Sequence, residues 1–304
     1  EAALMRRAGW AVHVTAALDG SWEETPPSIT DFIRRDHRWF QGNLQHLGLI
    51  GAKGLSPMSR LQLAMGCMAY LSSPLWLASL MVGLFIQMFY PVDWTSFFYI
   101  LNPQFTPFML ASFLSGVLLI GPKFMGAALV LSRPAERRAF GGRRAIAKGM
   151  AAEIALSAIL APILMVANTK AFIQILSGHD TGWTTQQREA DGLAWSDAFR
   201  AMRWQMVAGV GFIAPLCVRP DLATWFAPIV LPLLLAAPIA VWTSRVRSGD
   251  ALARKGFLVT PAQDGVSVNP AVLHTPRSPL RAVAGGVLAP VAAPAMVPAR
   301  APEL

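Results

Sequence analysis

The chain has 304 residues, of which 54% are hydrophobic and only 14% charged, with a mean hydropathy of +0.44. Soluble domains carry about 25% charged residues, so this composition excludes an ordinary soluble globular protein. The net charge of +9 fits either nucleic acid or an anionic membrane surface. The membrane is the better partner, because the basic residues flank apolar blocks, and no nucleic-acid partner is expected.

Glu1–Ala8 is rich in helix formers, with Gly9 placed as the residue that stops the helix. Residues 11–17 suit a short strand, favoured by Val12 and Val14. A polar turn follows, and Ser28 with Asp31 forms an N-cap pair that opens a helix running to roughly Leu47. Helix, strand and helix together read as the tail end of an α/β domain. The first residue is Glu1, not Met, and the chain is expected to begin partway through a larger protein.

Residues 61–90 contain no charge and form a first membrane span, with Pro74 inside it as a kink. Residues 91–104 hold one charge, Asp93, and read as an external turn. A second uncharged span covers 105–121, with apolar character resuming at Phe124–Leu131. A basic loop follows within about 122–150, where Lys123, Arg133, Arg137, Arg138, Arg143, Arg144 and Lys148 face a single acid, Glu136. The positive-inside rule places this loop in the cytoplasm. Residues 152–176 are apolar but carry Glu153, Pro162, Asn168 and Lys170, and suit a span, a re-entrant hairpin or an interfacial helix. Residues 177–204 are polar, and apolar stretches return at 205–218 and 222–243. Arg245, Arg247, Arg254 and Lys255 mark a cytoplasmic end. An inside start and an inside end require an even number of crossings. That gives four spans if 152–176 is interfacial or re-entrant, or six if it is a hairpin, with 177–204 cytoplasmic either way.

The fold class is therefore mainly α: a polytopic helical membrane protein with a short α/β remnant at its N-terminus. Three parts are expected: 1–55 as the end of a cytoplasmic domain with an interface helix, 56–245 as the transmembrane region, and 246–304 as a disordered Pro- and Ala-rich tail. Phosphate-loop and dinucleotide fingerprints are absent from the sequence. The five histidines are scattered and offer no metal pair. Cys67 and Cys217 both lie in apolar stretches and imply no disulfide. Glu153 and Lys170 are the ionisable groups that would serve an ion path, as a transporter subunit requires, or stand structurally at the interface.

One cluster carries chemistry, Arg34 to His46, just before the first span. Arg35 and Trp39 share a helix face, with Arg38 adjacent. Guanidinium groups pair bidentately with a diphosphate, and an indole stacks on a sugar. A basic, aromatic interfacial helix is the plainer reading of the same residues.

Arg35-x-x-Arg38-Trp39, followed by Gln41-Gly42-Asn43, resembles the Q-x-x-R-W element of processive family 2 glycosyltransferases, with Arg35 at the Gln position. The words "EAALMRRAGW", "SWEETPPS", "RRDHRWFQGNLQHL", "SRLQLAMGCMAYLSSPLWL" and "DTGWTTQQR" closely resemble one branch, the glucans biosynthesis glucosyltransferase H family of Gram-negative bacteria, over roughly 1–245. The resemblance implies that the N-terminal remnant belongs to a GT-A glycosyltransferase domain. It implies transfer of glucose from UDP-glucose to a growing β-glucan of the periplasm, in the bacterial inner membrane. A divalent metal, Mg²⁺, is implied, with its ligands and the aspartate base all upstream of Glu1. It assigns Arg35, Arg38 and Trp39 to substrate binding, and Trp183 and Arg188 to a gating loop over 180–188, which otherwise reads as a plain connection. Acyl carrier protein is a further implied partner. Another family 2 polysaccharide synthase is the nearest alternative.

Overall fold

The computed structural model describes residues 2–13, 26–89, 106–179 and 192–261. It divides after Val259, and of the second unit, Thr260–Leu304, only residues 260 and 261 are described.

Helix α1 spans Ala2–Arg7, and Gly9 follows with φ +89°, a left-handed conformation that suits glycine. The described residues contain no strand. Residues 11–13, the start of the predicted strand, are irregular, and 14–17 lie outside the described residues. Helix α2 spans Ile29–Gln45. Ser28 caps it: its Oγ accepts from the Asp31 amide at 3.2 Å and donates to the Asp31 carboxylate at 2.6 Å. A short α3, Leu47–Ile50, leads to α4, Pro57–Phe89, where Ser56 Oγ accepts from the Ser59 amide and Pro57 takes the first helical position.

Helix α5 spans Thr106–Ser132, α6 Pro134–Ala139 and α7 Arg143–Leu176. The stretch read as a loop over about 122–150 is thus mostly helical, and only residue 133 and residues 140–142 interrupt it. Residues 152–176 form no hairpin, which removes the six-span arrangement. They lie within one uninterrupted helix of 34 residues, about 51 Å long. Helix α8 spans Trp195–Val218, a 3₁₀ turn covers Pro220–Leu222, and α9 (Ala223–Leu234) and α10 (Ala236–Thr243) meet at a 60° bend. Pro238 explains the break. Its ring excludes the carbonyl of Leu234, yet fits the first turn of a new helix. The expected tail begins instead with α11, Val246–Arg254, an amphipathic helix whose Leu252 is half-buried.

Among the described residues four helices are long and apolar enough to cross a membrane: α4, the Phe113–Ser132 part of α5, α7 and α8, with the bent pair 220–243 as a broken span or re-entrant element. Their outward apolar side chains, such as Phe85, Leu119 and Met125, are exposed, as helices surrounded by lipid require. Two buried clusters hold the helices together. Ile29 of α2 meets Ile163, Ala198, Met202, Ala236, Ala237 and Ala240 in one. Leu84, Met165, Phe212 and Leu233 meet in the other.

The contacts fix which helix ends share a face. Arg219, at the end of α8, donates to the Gln87 carbonyl near the end of α4 and pairs with Asp221 at 2.7 Å. At the opposite end, the Leu193 amide before α8 donates to Ser244 Oγ after α10 at 2.8 Å. Helix α7 reaches this second face through its first half, where Lys148 donates to the Lys255 carbonyl at 2.6 Å. Its second half packs along α4, where Asn168 donates to Ser73 at the middle of that helix at 3.4 Å.

Close approach of α8 and α9 requires Gly209. A Cβ there would lie 3.0 Å from the Leu234 amide nitrogen and 3.1 Å from Leu233 Cβ, whereas one at Gly211 would meet open space. Gly209→Ala should therefore destabilise the fold by about 1–3 kcal/mol relative to Gly211→Ala, read as a lower thermal unfolding midpoint in detergent. Equal midpoints would count against this packing.

Candidate functional site

Helix α2 is fastened by its inner face and displays its outer one. Phe40 has no exposed surface. Its ring stacks on Tyr70 of α4, with centroids 4.9 Å apart, and on Phe172 of α7 at 6.2 Å. One turn earlier, Asp36 turns inward and accepts a hydrogen bond from the Tyr70 hydroxyl at 3.1 Å. One turn later, the Asn43 side chain lies against Gly66, where a Cβ would stand 2.3 Å from Asn43 Oδ1. Cys67 Sγ donates to the Asn43 carbonyl at 2.9 Å.

The electrostatics of the inner face follow from burial. Burial raises the Asp36 carboxyl above the usual carboxylate range, with Tyr70, Asn168 and Arg35 opposing the rise. Burial likewise lowers His37, and the Lys170 ammonium pushes in the same direction. His37 Nε2 is buried and has no hydrogen-bond partner among the described residues. A neutral imidazole tolerates this better than a cation.

On the outer face, the Arg35 guanidinium lies 5.2 Å from the Phe32 ring centroid and 5.5 Å from that of Trp39. Trp39 is 55% exposed, and its carbonyl accepts from Asn43 Nδ2 at 2.8 Å. Arg38 is half-buried on the same helix. Arg35, Arg38 and Trp39 thus share one helix. Trp183 and Arg188 lie outside the described residues. The residues that lead into and out of that segment stand at opposite ends of α2. His179 and Leu176 line a groove of about 620 Å³ with Gln41 and Leu44. Gly192 and Leu193 line a cavity of about 340 Å³ with Ser28, Asp31 and Arg34.

Glu153 forms an ion pair with Lys123 of α5, and Lys170 lies near His37. Among the described residues no three His, Cys, Asp or Glu side chains come together to hold a metal ion. The described residues therefore do not fit a divalent metal, and no step is derived through one. Sequence reasoning missed Asp36, Phe40, Tyr70 and Phe172 as the fastening of α2. Tyr70 lies 34 residues from Asp36, beyond any local pattern.

Residues 2–119 match the family described as glycosyl transferase family group 2. The chain is 39% identical over 282 residues to "Glucans biosynthesis glucosyltransferase H" of Caulobacter vibrioides, covering 86% of this chain and 41% of that protein. The chain is similar to proteins that bear this name. Proteins of the same name from Shewanella oneidensis and Shewanella baltica are each 41% identical to it, over 86% of this chain and 37% of theirs. The chain thus spans about two fifths of the length of these curated relatives. No solved structure matches it.

His37 generates a pH prediction. Its depressed native value means that it contributes stability present above the unfolded value of about 6.5 and lost as pH falls. Asp36, raised by burial, acts with the opposite sign. Stability measured from about pH 7 down to about pH 5 should fall less steeply in His37→Gln than in the unaltered chain. Parallel profiles would remove His37 as a contributor.

Proposed function

We propose that this chain is the membrane-embedded part of a glucosyltransferase that moves glucose from UDP-glucose onto a growing β-glucan in the bacterial inner membrane. The observation that carries this reading is α2 itself. Its inner face is clamped through Phe40, and its outer face presents Trp39 with the Arg35 guanidinium stacked on it. Relatives bearing the name glucosyltransferase support the activity.

Arg35 and Arg38 contact the diphosphate or the acceptor, and Trp39 forms a floor for the acceptor sugar. Guanidinium groups beside the departing diphosphate stabilise charge that grows in the transition state. The acceptor hydroxyl loses its proton to an aspartate base and attacks the anomeric carbon, and UDP leaves from the opposite side. That base and the ligands of a divalent metal belong to the share of the relatives' length that this chain does not span. Residues 1–55 are the end of the GT-A domain with its interface helix, a reading supported by a family match over residues 2–119. Trp183 and Arg188 belong to a loop over the nucleotide. The attachment of its flanking residues at both ends of α2 supports that role.

Four crossings fit this arrangement: α4, α5, α8 and the bent pair α9–α10. Helix α7 lies along the cytoplasmic face. Its first half stands beside Lys255 and Phe257 after the last crossing, and its second half lies against Phe40 of α2, which precedes the first.

Labelled UDP-glucose and Mg²⁺ supplied to membranes that carry this chain within a protein of the relatives' full length test the reading. Polymeric glucan should form, and Trp39→Ala should reduce it by roughly tenfold or more without loss of folded protein. No incorporation from any UDP-sugar by folded, inserted protein would overturn it.

A further inference from the structure

The cations that follow the second and last crossings come from segments about a hundred residues apart, and the fold brings them together. Lys148 reaches across to α11 and its continuation, donating to the Lys255 carbonyl at 2.6 Å and standing 4.4 Å from the Phe257 ring centroid. Arg138, Arg143, Arg144 and Lys148 are exposed on α6 and the start of α7, and Arg254 and Lys255 are exposed at the end of α11. The six cations of the patch outnumber the acids near them: Asp250 is exposed one turn before Arg254, and two others are engaged. Glu136 pairs with Arg133 at 2.8 Å, and Glu153 pairs with Lys123. Arg143 and Arg144 do not serve their own helix, because cations in a first turn oppose the helix dipole, and α7 has no acidic residue there. The patch lies directly after the α5 and α10 segments, at the level where a bilayer presents its headgroups. Leu252 and Phe257 supply apolar side chains beside it.

We infer that this composite surface, Arg138, Arg143, Arg144 and Lys148 with Arg254 and Lys255, binds the headgroups of anionic phospholipids. The occupant is a lipid of the surrounding bilayer. Its phosphate meets the cations, and its acyl chains run along the exposed apolar sides of α5 and α10. Charge complementarity and position beside two membrane segments select it: several cations held together near a membrane surface attract acidic lipid strongly. The inference rests on the membrane placement given above and not on sugar transfer, so loss of one leaves the other standing.

The test uses the full chain in a neutral detergent titrated with dioleoylphosphatidylglycerol or dioleoylphosphatidylcholine. Lipid retained is read by native mass spectrometry, and stability by the thermal midpoint. Phosphatidylglycerol should be retained and should raise the midpoint, more at low salt than at high salt, whereas phosphatidylcholine should do neither. The Arg143→Gln, Arg144→Gln, Lys148→Gln triple variant should bind phosphatidylglycerol roughly tenfold or more weakly. The Arg143→Lys, Arg144→Lys double variant should keep it, as should Arg200→Gln on α8. Equal retention of the two lipids by the unaltered chain would overturn the inference, and that arm depends on no variant folding. So would undiminished binding by a folded triple variant. Displacement of the lipid by inorganic phosphate at equal concentration would make this a free-phosphate site and overturn the lipid assignment.

Discussion

The organisation of this molecule depends on one aromatic clamp. Phe40 is wholly buried between Tyr70 of the first long apolar helix and Phe172 of α7. Burying a ring of this size stabilises by several kcal/mol, and truncating it to alanine costs about 3–5 kcal/mol. Because the clamp acts on one face of α2, it sets the rotation of that helix. Rotation in turn decides that Trp39 and Arg35 stand outward while Asp36 and His37 turn in. Gly66 gives the Asn43 side chain room against α4, and a larger residue there would force that side chain to shift.

The acid in the middle of the arginine-rich segment shows why that rotation matters. In an extended chain, Asp36 would sit between Arg35 and Arg38 and neutralise part of their charge. In the helix it faces Tyr70 and is penalised by burial, while Arg35 is directed toward the rings of Phe32 and Trp39. The same helix lies against the residues that lead into and out of 180–191.

Local chemistry made much of α2 legible in advance. Ser28 with Asp31 marked its start because a side-chain cap is a contact within one turn. The uncharged run from residue 61 marked α4 because a bilayer tolerates no charge over that length. The stretch 122–150 read as a loop because dense charge resembles loop composition, yet arginine and alanine are good helix formers and residues 134–139 and 143–150 are helical. Position 152–176 was ambiguous because composition reports that a helix is apolar and not which way it lies.

The sequence by itself determined that the chain is a membrane protein, where its long helices run, and which cluster of residues carries recognisable chemistry. These are properties of composition, caps and motif, each encoded within a few turns. Only the tertiary structure decided that Phe40 anchors α2, that Asp36 is held by a tyrosine 34 residues away, that Asn168 of α7 meets Ser73 of α4, and that Lys148 joins Lys255. Those facts depend on side chains distant in sequence meeting across helix surfaces. Their pairing is set by shape and burial among all the helices together, which no local pattern records.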